Sequence, residues 1–449
     1  MKTVANPDPS WLSVLPTGLR QRLVGRSTVL AILANSGWLL ADRVLRMTLA
    51  VMVGAWVARY LGPGRYGELA YAIALLGFIQ PAAALGLEAI VVRDIAQEPT
   101  RAGQILGTAF RLRLGAGLIG WVGVMALAAC LRQDDTTAIV LVGIVGLGLI
   151  LQSSDVVDLW FQSQMRSKLT VLSRVVAYCT ASAIKVGLIL ADAPLWTFAA
   201  ALLADFLLAS VALAFTYRRA PSTARWRWDA GTARVLLKES WPFMLAGLSV
   251  AAYMRIDQLL LRELSDERQL GLYSAILPLS QALHVLPLTV CSSLYPRMAT
   301  LRRENPQAYA RRMLQLFTLM AWSGMAVGAV VSLCAPWLVA VLLGPGFSEA
   351  VPILRWHALT NVFVFLGVAQ SVMIVNDGTS RISLIKTLSG AVASVALNLL
   401  LVPRWGAVGA AWAAVGAYGA AAVLTNAFVA PKALSMQLKA FWPFHAQRA

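Results

Sequence analysis

Residues 29–62 read VLAILANSGWLLADRVLRMTLAVMVGAWVARYLG, long enough to cross a bilayer, since about 20 apolar residues span about 30 Å of hydrocarbon. Asp42, Arg43 and Arg46 sit near the middle of this stretch. A charge at bilayer depth costs roughly 2.5–3.5 kcal/mol on insertion scales, so such residues rarely face lipid. Two arginines and an aspartate within five positions therefore need a wet or protein-lined place to point. The remaining sequence has the composition to build one.

Of 449 residues, 59% are hydrophobic and 13% charged, and the mean hydropathy is +0.69. A soluble domain is nearer 45–50% apolar and about 25% charged. The chain is therefore a multi-pass membrane protein, and its longest polar connection, 218–239, is too short to fold a core of its own. A net charge of +17 would suggest nucleic acid in a soluble protein. In a membrane protein it records cytoplasmic loops, and no nucleic-acid partner is expected. The four cysteines are isolated in apolar segments without metal-ligand spacing, so no metal site is expected. Residues 1–28 lack the apolar core of a secretory signal. Trp11, Leu12, Leu15, Leu19 and Leu23 alternate there with basic residues, as in a short helix on the lipid surface or a basic tail.

Apolar runs bounded by charged or Pro/Gly clusters predict an all-α membrane protein of about twelve transmembrane helices. They fall near 29–58, 66–92, 105–131, 137–161, 169–191, 195–217, 236–261, 270–296, 312–343, 349–375, 381–402 and 406–430. The expected organisation is a basic N-terminal segment (1–28), an N-lobe (29–217), a linker (218–235), a C-lobe (236–430) and a C-terminal tail (431–449). With the N-terminus placed in the cytoplasm, 27 of the 38 Lys and Arg fall on the inner side and 7 on the outer, the remaining four lying within spans. That bias predicts both termini inside and an even number of passes.

The halves echo each other. YGELAYAIALLGFI from Tyr66 resembles LGLYSAILPLSQAL from Leu270, about 204 residues later. Polar turns carrying Arg166 and Arg381 likewise separate the fourth and fifth spans of each half. Two six-helix lobes related by a pseudo-twofold axis along the membrane normal are the expected plan, with a substrate site between them.

ARYLGPGRYGELAYAIALL…ALGLEAIVVRDIA (58–96), MRIDQLLL…LGLYSAILPL (254–279), LLGPGFSEAVPILRWHAL (342–359) and ALNLLLVPRWGAVGAAWA (396–413) resemble, in order, segments of Wzx-type polysaccharide flippases. These belong to the multidrug/oligosaccharidyl-lipid/polysaccharide exporter superfamily, and the similarity runs from about residue 28 to 430. The resemblance implies export of a lipid-linked oligosaccharide, usually on undecaprenyl diphosphate, across a bacterial inner membrane by alternating access. A glycan polymerase or assembly complex is a partner consistent with that role, alongside membrane lipids.

A flippase must offer a cationic route for a diphosphate, and arginine binds phosphate bidentately while staying charged. The cations within spans are Arg43, Arg46, Lys185 and Arg255. The first and seventh spans are equivalent in the repeat, so Arg43 and Arg46 are expected opposite Arg255 at the headgroup site. The competing reading pairs Arg46 with Asp42, one turn back, and Arg255 with Asp257. Asp42 and Asp257 are candidates for a coupling ion, a proton or Na⁺, or serve as counter-ions. Asn35 and Gln281 are candidates to bond sugar hydroxyls, and Trp38, Trp160 and Tyr253 to stack on sugar rings. Glu88, Asp155, Asp158 and Asp205 read as interfacial or interhelical groups, and His284 and His357 as hydrogen-bonded interhelical histidines. Pro278, Pro287 and Pro296 predict kinks in one helix.

No bond-breaking chemistry is expected, and no Walker-type GxxxxGK[ST] element is present, so coupling to an ion gradient or the membrane potential is the expected energy source. A cation-coupled drug or metabolite antiporter on the same fold is the alternative. Its cavity would be rich in carboxylates and aromatic rings rather than arginines. A non-transporting scaffold has no use for buried cations, and a membrane glycosyltransferase or polymerase would need a larger outer loop.

Overall fold

The computed structural model describes residues 27–131, 135–220 and 225–442, with side chains from residue 42 onward except those of Leu131, Ser167 and Ser380. The amphipathic segment expected before residue 27, and the side chains of Asn35 and Trp38, lie outside the described residues. Every described element is helical, as a chain in hydrocarbon requires if each backbone group is to find a partner. The helices of the first half are α1 (Ser27–Ala84), α2 (Glu88–Gln97), α3 (Ala102–Leu131), α4 (Thr136–Gly146), α5 (Gly148–Leu151), α6 (Val156–Ser163), α7 (Ser167–Leu190) and α8 (Leu195–Arg218). Those of the second half are α9 (Ala230–Leu264), α10 (Glu267–Gln281), α11 (Val285–Glu304), α12 (Pro306–Leu338), α13 (Ala350–His357), α14 (Thr360–Asn376), α15 (Ser380–Gly419), α16 (Asn426–Val429) and α17 (Pro431–Ala440).

Among the described residues, ten helical stretches are long and apolar enough to span a membrane. Two of them, of 56 and 49 residues, are each long enough for two crossings at about 1.5 Å per residue. Each turns at a glycine in the left-handed half of backbone space, Gly62 (φ 72°) in α1 and Gly406 (φ 52°) in α15. These are the expected boundaries between the first and second and between the last two spans. A positive-φ glycine there folds the chain sharply without a loop. The fold is accordingly a twelve-pass, two-lobe helical bundle.

The two lobes meet where the repeat is strongest. A Cβ on Gly67 would lie 1.7 Å from the Glu267 carbonyl oxygen, and one on Gly271 would lie 1.8 Å from the Pro63 carbonyl oxygen. Both Gly67/Gly271 and Pro63/Glu267 are 204 positions apart, so the contact is its own image under a twofold rotation. Small residues let helix backbones approach this closely where lipid supplies no hydrophobic drive between helices. Arg262, which pairs with Asp135 at 3.3 Å and Glu267 at 3.2 Å, and Arg268, which pairs with Glu349 at 2.8 Å, surround this end.

At the opposite end α9 is seated on the N-lobe by polar contacts. Asp229 caps it by accepting from the Thr232 N–H at 2.6 Å, and its own N–H donates to Thr108 Oγ1 at 3.1 Å. Gln104 donates to Thr232 Oγ1 at 3.1 Å, and Arg93 pairs with Glu239 at 2.6 Å. The helix carrying Pro278, Pro287 and Pro296 breaks into a 3₁₀ turn at Ala282–His284, the interruption expected where proline removes backbone donors. The segment after residue 430 begins with α17, which buries Ala433, Gln437 and Ala440 against the C-lobe.

A cationic tract between the lobes

Directly beneath the Gly67–Gly271 contact lies a cavity of about 400 Å³. It is walled by Met47, Ala50 and Tyr66 of α1, by Arg255 and Gln258 of α9, and by Ser274, Pro278 and Gln281 of α10. A neighbouring cavity of about 350 Å³ shares Arg255, Ala50, Tyr66 and Pro278 with it and reaches Lys185 and Tyr178 on α7. Tyr178 also borders a third space, of about 290 Å³, that holds Arg46, Arg174, Asp155 and Asp205. Gln80, Gln152 and Asp155 carry the tract into two further cavities of about 360 and 560 Å³, walled by Glu88 and Arg113 and, in the larger, by Arg93. Shared lining residues therefore set five neighbouring spaces in a row from the level of Tyr66 to that of Arg93.

Arg255 projects from α9 onto the N-lobe, where a Cβ on Gly77 would lie 3.2 Å from its Nε. Among the described residues no carboxylate stands within ion-pair distance of it. Asp257, two positions on, points into the C-lobe instead; it is 7% exposed and accepts hydrogen bonds from the Tyr273 hydroxyl and the Gln258 N–H. Alternate faces of one helix thus separate the pair that the competing sequence reading joined. Arg46 does pair with Asp42, at 2.6 Å, and Asp42 is 5% exposed. Arg46 still borders the tract, whereas Arg43 is exposed and touches none of these cavities. The structure therefore brings Arg255 and Lys185 to one connected space and Arg46 to the next. Lys185 Nζ lies 5.9 Å from the centre of the Tyr178 ring, near the Asp205 carboxylate.

Gln281 borders the first cavity, as a sugar contact would. Tyr253 packs on Tyr418, ring centres 4.6 Å apart. Trp160 is buried in the N-lobe core, edge-on to Phe161 and Tyr217, so the stacking role considered for it is corrected: its ring faces protein. His357 meets Ser280 Oγ at 2.8 Å, the interhelical bond expected of it. Asp155 and Asp158 both pair with Arg174, at 2.9 and 3.1 Å.

Two cations that the charge count placed on the inner face are buried. Lys386 lies in α15 and donates to Gln370, within a polar cluster that includes Asn426 and Gln437. Arg113 lies in α3, 4% exposed. Only its position inside an apolar run, FRLRLGAGL, could have hinted at this. Gln258, Ser274 and Tyr178 also escaped the sequence reading, because nothing local distinguishes a cavity-lining polar residue from an interhelical one. No group of three His, Cys, Asp or Glu side chains able to hold a metal occurs among the described residues.

An arginine-lined cavity between two pseudo-symmetric six-helix lobes, with further arginine-bearing cavities beside it in the N-lobe, defines a membrane transporter or flippase. Residues 56–352 match the family described as polysaccharide biosynthesis protein, and the chain belongs to it. The lipid II flippase MurJ in its inward closed conformation is similar over 90% of both chains, with a TM-score of 0.71 at 12% identity. A multidrug resistance MATE family transporter of the MOP superfamily is similar in its inward-facing conformation, with a TM-score of 0.65 at 18% identity over 88% of this chain and 96% of that one. The outward-facing conformation of such a transporter gives 0.59 at 16% identity over 91% and 96%. These likenesses define the fold. A search of curated proteins returns no match.

Proposed function

We propose that the protein flips a polyprenyl-diphosphate-linked oligosaccharide outward across the bacterial inner membrane for surface polysaccharide synthesis. The observation that carries this reading is Arg255, a guanidinium facing the inter-lobe cavity with no carboxylate partner among the described residues. An antiporter for cations would want the reverse charge there. The positive-inside bias assigns the Arg93 end of the tract to the cytoplasm and the Gly67–Gly271 seam to the outside. The seam closes the outer end while the tract reaches toward the cytoplasmic one, an inward-accessible arrangement that suits loading from the cytoplasmic leaflet. The diphosphate and sugars travel in the tract, the prenyl tail stays in lipid, and release follows separation of the seam. Moving an anion outward is assisted by an inside-negative potential. Asp42 serves as the buried counter-charge of Arg46, and it or Asp257 takes up a coupling H⁺ or Na⁺.

The test is a deletion strain in which surface glycan is separated from lipid-linked repeat units inside the cell. Accumulated lipid-linked units without surface polymer are the expected result, and mass spectrometry then identifies the sugar. Unchanged surface glycan together with new sensitivity to cationic compounds would favour the antiporter.

A further inference from the structure

The tract contains a second cation position far from Arg255. Arg113 is 4% exposed, and its Nη1 is fully buried with no hydrogen-bond partner among the described residues. It borders both the 360 Å³ and the 560 Å³ cavities. Its cationic neighbours in the larger cavity are already engaged, Arg174 by Asp155 and Asp158 and Arg93 by Asp94 and Glu239. Arg174 shares one positive charge between Asp155 and Asp158, so that pairing balances one of their two negative charges, and Glu88 is the third carboxylate on that wall. Among the described residues no carboxylate, Glu88 included, lies within ion-pair distance of Arg113. A guanidinium remains charged even when buried, so its orphaned N–H calls for an acceptor.

Helix geometry fixes how far this position is from Arg255. Gln104 and Thr232 are level, because their side chains are hydrogen-bonded. Arg113 lies nine residues beyond Gln104 and Arg255 twenty-three beyond Thr232. At about 1.5 Å per residue the two arginines are therefore offset by about 20 Å along the bundle. One diphosphate cannot touch both.

We propose that Arg113 forms a second anion subsite of the tract, taking an oxyanion of the substrate independently of Arg255. The inference rests on the flippase reading. Its ligand is a phosphate or a carboxylate: either the lipid diphosphate at an earlier stage of its passage, or an acidic sugar of the repeat unit while the diphosphate is held elsewhere.

Titration calorimetry on the purified full chain in detergent tests it, with inorganic pyrophosphate and sodium glucuronate as probes. Arg255→Gln should keep one class of anion site, and Arg113→Gln should lose that class, its affinity falling tenfold or more. The double variant should bind neither probe. Pyrophosphate binding alone in Arg255→Gln assigns the subsite to the diphosphate; glucuronate binding assigns it to a sugar acid. Should Arg113→Gln not fold, Arg113→Lys, which keeps charge but loses the planar fork, must weaken the same class severalfold. A well-folded Arg113→Gln that binds both probes as wild type does would overturn the subsite. So would an Arg255→Gln variant that binds nothing. The deletion strain keeps the two ideas apart. Accumulated lipid-linked units with unchanged Arg113→Gln binding remove the subsite and leave the flippase, whereas lost binding without accumulation removes the flippase and leaves the subsite.

Discussion

At Gly77 the chain makes room for Arg255, since any side chain there would press on the guanidinium. Gly77→Val should therefore lower export with membrane abundance unchanged, while Gly115→Val, where a Cβ meets open space, should leave export intact. Normal export by Gly77→Val would show that Arg255 need not lie where it does. Arg255 itself should be more sensitive. A hydrogen bond to a charged group contributes about 1.5–3 kcal/mol, so Arg255→Gln should weaken substrate affinity roughly ten- to a hundredfold, read as a raised half-saturating substrate level. Arg43, exposed and off the tract, should tolerate Arg43→Gln. Part of this was legible in the sequence, because a cation deep inside an apolar run is unusual enough to name Arg255, Arg46 and Lys185. Their partners were not legible. Whether Arg255 points at Asp257 or across the lobes depends on helix rotation, and Arg113 was hidden because a basic residue a few turns into a span looks the same as one in a loop.

The element most open to test is the seam formed by the α1 and α10 glycines. Gly271→Ala would drive a methyl group into the Pro63 carbonyl, and Gly67→Ala would do the same at Glu267. Either substitution should shift the population toward a state open at that end. Ser274→Cys, one turn beneath the seam on the cavity wall, placed in a variant whose four native cysteines are replaced, should then react faster with a membrane-impermeant maleimide added outside the cells. Unchanged labelling would mean that the seam does not gate the cavity. At the other end Asp229 caps α9, and the Thr232 N–H holds its carboxyl below the usual range. A carboxylate with a depressed folded-state pKa stabilises above its unfolded value, about 3.9, and loses that contribution as pH falls through the folded one. Asp229→Ala should accordingly lower the melting temperature at pH 7 but little near pH 3, and Asp229→Asn, also a competent cap, should keep most of it. The elements themselves were legible because hydropathy and a 204-residue echo set them. The joins were less so: Gly62 and Gly406 produce kinks where connecting loops were expected, since glycine reverses the chain without extra residues.

For the whole molecule, the two-lobe plan matches the 204-residue echo in the sequence, and an interface of glycines on a pseudo-twofold axis is a natural place for two equivalent halves to part and meet again. The closed seam at one end and the row of cation-bearing cavities toward the other suit one half of the alternating cycle proposed above. The central claim is that this tract carries a lipid-linked anion. Its most direct measurement uses proteoliposomes loaded with polyprenyl-diphosphate oligosaccharide extracted from the deletion strain, with the sugar exposed on either leaflet read by an impermeant oxidant. Wild-type protein should render nearly all of the sugar accessible over time, and Arg255→Gln should slow that approach tenfold or more. Sugar that stays half-protected with wild-type protein, in vesicles where the same protein moves a cationic dye, would contradict the account.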